Sequence, residues 1–206
     1  EDHIGLSDTL GTGGIVTPLP GIKGDPGSPT AYELRGTGSP YGVVTPASAG
    51  VYYTDTLGTC GAWRWMSTGT TNTSWTVITG DTGWRDMRAT VSDWGNLGMA
   101  STPFGFVIRR VNADVWLGIN GIRASDTAKH DKVYTLPYGF RGLGTNEDNR
   151  FFPVTTDVAQ MPLGQIGIRE SQYLQFWFSS IGEYRSVNGL WVTADAWPTT
   201  LPGTAA

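Results

Sequence analysis

The sequence predicts an all-β fold, with a small β connector module followed by a jelly-roll-like β-sandwich head. Three observations carry that prediction. Glycine (29 residues) and proline (12) punctuate the whole of the 206-residue chain, which leaves no room for long helices. Nine Trp, eight Tyr and seven Phe stand among many Thr and Val, residue types that fit pleated, half-buried surfaces. Short apolar runs recur at close spacing with turn residues between them, the pattern of a sandwich or jelly roll.

In chain order, residues 1–20 are Gly- and Thr-rich, with one short apolar run and no period, and are expected to be irregular. Residues 21–29 form three Gly-X-Y triplets: Gly21-Ile22-Lys23, Gly24-Asp25-Pro26 and Gly27-Ser28-Pro29. A collagen triple helix requires Gly at every third position because no side chain fits at its axis, and Pro pre-sets the backbone. Three triplets are too few to hold three chains together alone, and an ordinary Pro/Gly linker has the same composition. Either origin marks a boundary.

Residues 30–88 read as a small connector or trimerisation module. Val51-Tyr52-Tyr53-Thr54, Ala62-Trp63-Arg64-Trp65-Met66 and Trp75-Thr76-Val77-Ile78 are its predicted strands, separated by turn-like residues at 58–61 and 67–74. Three short strands bury little by themselves, so packing against other copies of the chain is expected. The string Asp8-Thr9-Leu10-Gly11-Thr12 recurs at Asp55-Thr56-Leu57-Gly58-Thr59, but five common residues are too few to establish a repeat.

Residues 89–206 read as the head, with strands at 104–110, 115–122, 132–135, 150–155, 164–169, 173–179 and 190–193. Along 173–178, Leu174, Phe176 and Phe178 share one face, and Tyr173, Gln175 and Trp177 share the other. Val115, Leu117 and Ile119 oppose Trp116 in the same way. A sandwich strand needs one apolar face and one wet face. Aromatic residues on the second face point to a buried subunit interface or to a ligand platform.

The formal net charge is −4, with 14 Lys and Arg against 18 Asp and Glu. No basic cluster exists to grip a phosphate backbone, which argues against a nucleic-acid partner. The lone Cys60 forms no internal disulfide, consistent with assembly in a reducing cytoplasm. No apolar run approaches 18 residues and no signal peptide opens the chain, so membrane insertion and secretion are not expected.

Enzymatic motifs fare poorly. His3, His130 and Cys60 lack metal-ligand spacing. Ala47-Ser48-Ala49-Gly50 lacks the leading Gly of a nucleophile elbow. Gly142-x-Gly144 reaches Glu147 where a third Gly would be needed. A glycosidase needs two carboxyls roughly 5–10 Å apart, and Asp126 with Asp131, or Glu147 with Asp148, leaves that alternative open. Loop Asp residues ordinarily cap turns. The expectation is a protein that is not an enzyme, with no metal and no cofactor.

A resemblance enters at Arg35-Gly36-Thr37-Gly38-Ser39-Pro40-Tyr41-Gly42-Val43-Val44-Thr45-Pro46. With Tyr53-Thr54-Asp55-Thr56, Gly61-Ala62, Trp65, residues 70–75 and Gly80-Asp81-Thr82-Gly83-Trp84-Arg85-Asp86, this stretch resembles a module of minor tail proteins from phages infecting actinobacteria. In that family the module follows collagen-like repeats, the order found here. The C-terminal part is similar to the terminal domain of such proteins at 106–110, Leu136-Pro137-Tyr138-Gly139-Phe140-Arg141, Gly164-Gln165-Ile166-Gly167-Ile168, Trp191 and Ala196-Trp197-Pro198-Thr199. Trp63 and Cys60 depart from the usual pattern. The resemblance spans residues 21–203 and carries no catalytic motif. It implies a homotrimeric tail-fibre tip in the virion, joined to upstream fibre or baseplate segments, that recognises a host cell-envelope polysaccharide or glycolipid.

Site candidates rest on residue chemistry instead. Sugar recognition needs a ring face for the apolar side of a pyranose and polar groups for its hydroxyls. One candidate is the loop containing His130 and Asp131. The other is Tyr173, Gln175 and Trp177, continuing to Tyr184, Arg185 and Asn188, with Tyr184 and Arg185 expected to be exposed. Arg141 is a candidate charge for an anionic polymer. Two alternatives stay open: a purely structural fibre segment and a glycan-depolymerising tailspike.

Overall fold

Buried and exposed side chains alternate along strand after strand, and each buried set joins one of two apolar clusters. The computed structural model describes residues 33–206 apart from 96, 144–149, 157–163 and 171. The irregular segment 1–20 and the Gly-X-Y triplets at 21–29 lie outside the described residues. The strands are β1 (Glu33–Gly36), β2 (Tyr52–Asp55), β3 (Ala62–Ser67), β4 (Trp75–Gly80), β5 (Arg85–Asp86), β6 (Met99–Ser101) and β7 (Gly105–Val111). They continue as β8 (Asp114–Ala124), β9 (Lys129–Thr135), β10 (Arg150–Thr156), β11 (Gly164–Arg169), β12 (Tyr173–Phe178), β13 (Tyr184–Val192) and β14 (Thr204–Ala205). Two short 3-10 turns are the only helical elements among the described residues, so the fold is all-β as the sequence predicts.

Strands β1 to β4 form one sheet in that order, parallel between β1 and β2 and antiparallel thereafter. Its buried face carries Val51, Tyr53, Ala62, Trp65 and Trp75, and Trp197 from the end of the same chain completes the cluster. Trp197 is held there by its indole N–H, which donates to the Cys60 carbonyl at 2.9 Å. A small sheet that buries little alone thus borrows a large side chain from far along the sequence.

The remaining strands form a sheet in the order β14-β5-β7-β8-β13-β10-β11-β12-β9, with β6 paired to β8. It folds into two layers because β10 pairs with β11 through residues 150–153 and with β13 through residues 154–156. Phe106, Ile108, Val115, Leu117 and Trp191 from one layer share a core with Ile166, Ile168, Leu174, Phe176 and Phe178 from the other. Strands β10, β11 and β12 run as a meander and β9 lies beside β12, a Greek-key arrangement.

One irregularity positions the surface described below. Along β8 the buried apolar side chains are Val115, Leu117 and Ile119, and then Ile122 and Ala124, with Gly121 buried between the two sets. The phase slips at Gly121, where the register with β13 jumps from Asn120 to Ile122. Gly121 has φ of 74° and packs against the Phe104 ring, where an added Cβ would lie 2.3 Å from a ring carbon. Such a bulge re-aims side chains at a sheet margin.

Candidate functional site

Strand β13 turns Arg185, Val187, Gly189 and Trp191 inward and Tyr184, Ser186, Asn188, Leu190 and Val192 outward. Three outward rows cross the sheet in register: Gly105, Asn120 and Ser186; Val107, Gly118 and Asn188; Arg109, Trp116 and Leu190. Because Gly118 and Gly105 carry no side chain, a trough of about 370 Å³ opens among Trp84, Val107, Asn120, Ser186 and Asn188. A Cβ on Gly118 would stand 3.1 Å from a Val107 methyl and 3.8 Å from Asn188 Oδ1, inside that space.

The walls of the trough are firmly held. Trp84 precedes β5, which β14 pins in place, and its carbonyl accepts the Ala206 N–H at 3.0 Å. The Arg109 guanidinium lies 5.9 Å from the Trp84 ring. Asp81 binds Arg109 in a forked pair, accepting Nε at Oδ1 (2.8 Å) and Nη2 at Oδ2. The Arg109 hydrogen bond holds the Asp81 carboxyl below its ordinary value. Ser186 Oγ donates to Asn120 Oδ1 at 2.7 Å, leaving the Asn120 amide donors for a ligand.

At one end of the same face stands an aromatic stack. Tyr184 and Phe104 lie with ring centroids 5.5 Å apart at 26°, and the Arg123 guanidinium is 5.8 Å from the Tyr184 ring. Both rings are open to solvent, Phe104 at 67% and Tyr184 at 45%. Arg88 fixes the loop by donating Nη1 to the Phe104 carbonyl at 2.9 Å while paired with Asp86. From Tyr184 to Asn188 the strand covers about 13 Å at roughly 3.3 Å per residue. A ring stack at one end and the Trp84 ring at the side, with two amides and a hydroxyl among them, suit a ligand that alternates C–H surface with hydroxyl groups.

Of the residues singled out from sequence, Tyr184 and Asn188 belong to this face. Arg185 does not, and its expected exposure is corrected: the side chain is fully buried. It points inward by strand alternation, donates Nη2 to the Ser180 carbonyl and to Ser180 Oγ (2.8 Å), and lies 4.9 Å from the Phe178 ring. Burial pushes its pKa down. Gln175 is likewise corrected from a displayed polar residue to a buried one, 1% exposed. Its register with β9 slips between Leu174 and Phe176, beside the positive φ of 55° at Lys132, which breaks the regular outer row.

Trp177 is exposed on the other layer, in register with Gln165 and Lys129. Tyr173 is half-buried with the Lys132 ammonium 5.1 Å from its ring, and Lys132 pairs with Glu170 at 2.8 Å. Trp177 and Tyr184 thus project from different layers, so the patch expected across 173–188 divides. His130 lies in β9 rather than in a loop, half-buried against Gly98, with Nε2 2.8 Å from Asp126 Oδ1. Asp126 also accepts the Ala128 N–H at 2.9 Å, the bond of a turn cap. The Asp131 side chain and the Glu147–Asp148 pair lie outside the described residues. Arg141 is half-buried, donating Nε to the Leu136 carbonyl at 3.4 Å beside the Tyr138 ring.

Trp84, Phe104, Asn120, Arg123 and Ser186 were not singled out from sequence. Ser186 was within reach, since it shares the outward phase of Tyr184 and Asn188. The others reach the face only through strand pairing. Comparison with protein-family models, with curated proteins and with solved structures finds no match to this chain.

Proposed function

We propose that this chain is the distal tip of a trimeric phage tail fibre, and that it attaches the virion to a host cell-envelope glycan along the outer face of β7, β8 and β13. The observation that carries the reading is the glycine-floored trough, with Trp84 on one side, Asn120, Ser186 and Asn188 across it, and the Phe104–Tyr184 stack at its end. The resemblance to minor tail proteins supports the fibre assignment. In this reading the two-layered head is a jelly roll, and three copies present equal sites to a repetitive surface. Effective concentration then raises weak single-site binding by a factor of order 10² to 10⁴. Upstream fibre segments are the other partners. Catalysis, a cofactor, nucleic acid and membrane insertion form no part of the proposal.

The test is binding of the full chain to cell-envelope polysaccharide from actinobacteria, by biolayer interferometry. Trp84→Ala and Asn188→Ala are each expected to weaken single-site affinity about tenfold, the equivalent of about 1.4 kcal/mol for one ring or amide contact. Wild-type binding by both variants would overturn the site. A second reading is favoured by the neighbouring apolar residues Trp116, Leu190 and Val192, exposed at 43%, 48% and 38%. There this face is a subunit interface of a purely structural fibre segment, and the same substitutions change the mass in solution instead of glycan binding.

A further inference from the structure

The first sheet ends on an open edge. Strand β1 pairs with β2, and among the described residues no strand pairs with its other side. Register carries one row across the sheet through Leu34, Tyr53, Trp65 and Val77. Tyr53 and Trp65 are the buried centre of that row, at 4% and 3% exposed, whereas Leu34 at its end is 39% exposed. A single exposed leucine is ordinary on a protein surface. One that continues a core row to an open edge leaves the core unfinished at that end.

The opposite face of β1 is of another kind. Glu33 and Arg35 alternate with Leu34, and Glu33 Oε1 accepts the Thr54 hydroxyl at 2.9 Å while lying within an ion pair's reach of Arg35 at 3.9 Å. Charged side chains on an edge strand discourage a further strand from adding to it. Cover for Leu34 therefore comes from apolar side chains brought to its own face rather than from extension of the sheet.

The chain that enters β1 selects the occupant. A Gly-X-Y run serves a triple helix, in which three chains wind together. The last triplet ends at Pro29, and Glu33 follows four residues later, at most about 14 Å of extended chain. Three chains joined at 21–29 thus deliver three copies of β1 within a short reach of one another. We propose that Leu34 packs against Leu34 of two further copies around a threefold axis, closing the open end of each first-sheet core. The inference rests on the trimeric fibre reading and assigns the contact to β1, away from the β7–β8–β13 trough. Three triplets are weak alone and so is one leucine per chain. Linked in a single chain, each raises the effective concentration at which the other forms.

Cysteine cross-linking of the full chain in a Cys60→Ser background tests the contact, with light scattering on the same samples. Leu34→Cys, oxidised with copper phenanthroline, is expected to give covalent dimers on a non-reducing gel, because two of three thiols on one axis can pair. Thr76→Cys, exposed on the far edge strand β4, is expected to stay monomeric on that gel. Leu34→Asp sets three carboxylates against one another and is expected to raise the concentration at which the trimer dissociates at least tenfold. Its far-UV circular dichroism should match wild type, since Leu34 is exposed in the single chain. A trimeric mass with no Leu34→Cys cross-link, or wild-type dissociation in Leu34→Asp, would overturn the β1 contact and leave the fibre reading standing. A monomeric mass for the wild-type chain would overturn both.

Discussion

Asp55 illustrates how much one buried carboxylate organises. It is 1% exposed and accepts three backbone N–H groups, from Gly38 (2.8 Å), Leu57 (2.9 Å) and Thr59 (2.7 Å). The turn it caps continues through Gly58 in the left-handed region. Burial pushes the Asp55 carboxyl up, but the hydrogen bonds from Thr59, Leu57 and Gly38 outweigh it and hold the pKa below the ordinary 3.8. A depressed folded-state pKa contributes stability that is present above 3.8 and is lost as pH falls below it. Asp55→Asn is expected to cost about 1–3 kcal/mol at neutral pH. In urea unfolding, the gap between wild type and variant should narrow as pH drops below 3.8. Arg185 makes the opposite kind of case. A charged residue next to Tyr184 invites assignment to the surface, yet strand alternation buries it. Arg185→Ala is expected to lower stability by about 2 kcal/mol or more by stranding the Ser180 carbonyl, while polysaccharide affinity in the binding assay stays at the wild-type value.

At the scale of elements, the strands with strong apolar periodicity were legible in the sequence. The stretches predicted at 104–110, 115–122, 164–169 and 173–179 coincide closely with β7, β8, β11 and β12. The first half of β13 was not, because Arg185 occupies an inward position and makes Tyr184-Arg185-Ser186-Val187-Asn188 look uniformly polar. Strands as short as β5 and β14 carry no period to read. The site was half-legible for the same reason. Tyr184 and Asn188 share a strand, whereas Trp84 and Asn120 join them only through the β5–β7–β8–β13 pairing. The phase slip at Gly121 hides the rest, because it brings Phe104 against the bulge and onto Tyr184. Gly121→Ala forces a Cβ into the Phe104 ring at positive φ, and is expected to cost about 1–3 kcal/mol and to weaken polysaccharide binding, by thermal unfolding and interferometry respectively.

For the whole molecule, both sheets rely on residues distant in sequence. Trp197 fills the core of the first sheet, and Arg110 of the second ties down the segment that carries it. The outer face that displays the trough also displays Trp116, Leu190 and Val192, apolar area that trimerisation would cover in part. Light scattering on the full chain is expected to give a mass near three times 22.2 kDa. A stable monomer would remove the multivalent contribution and leave each trough to act alone.

The attachment claim is tested most directly by screening the wild-type chain against an array of bacterial envelope polysaccharides, with the reducing ends released from each spot measured in parallel. Retention on at least one envelope polysaccharide with no reducing ends released is the expected result. Retention on none, or release of reducing ends wherever the chain binds, would contradict it.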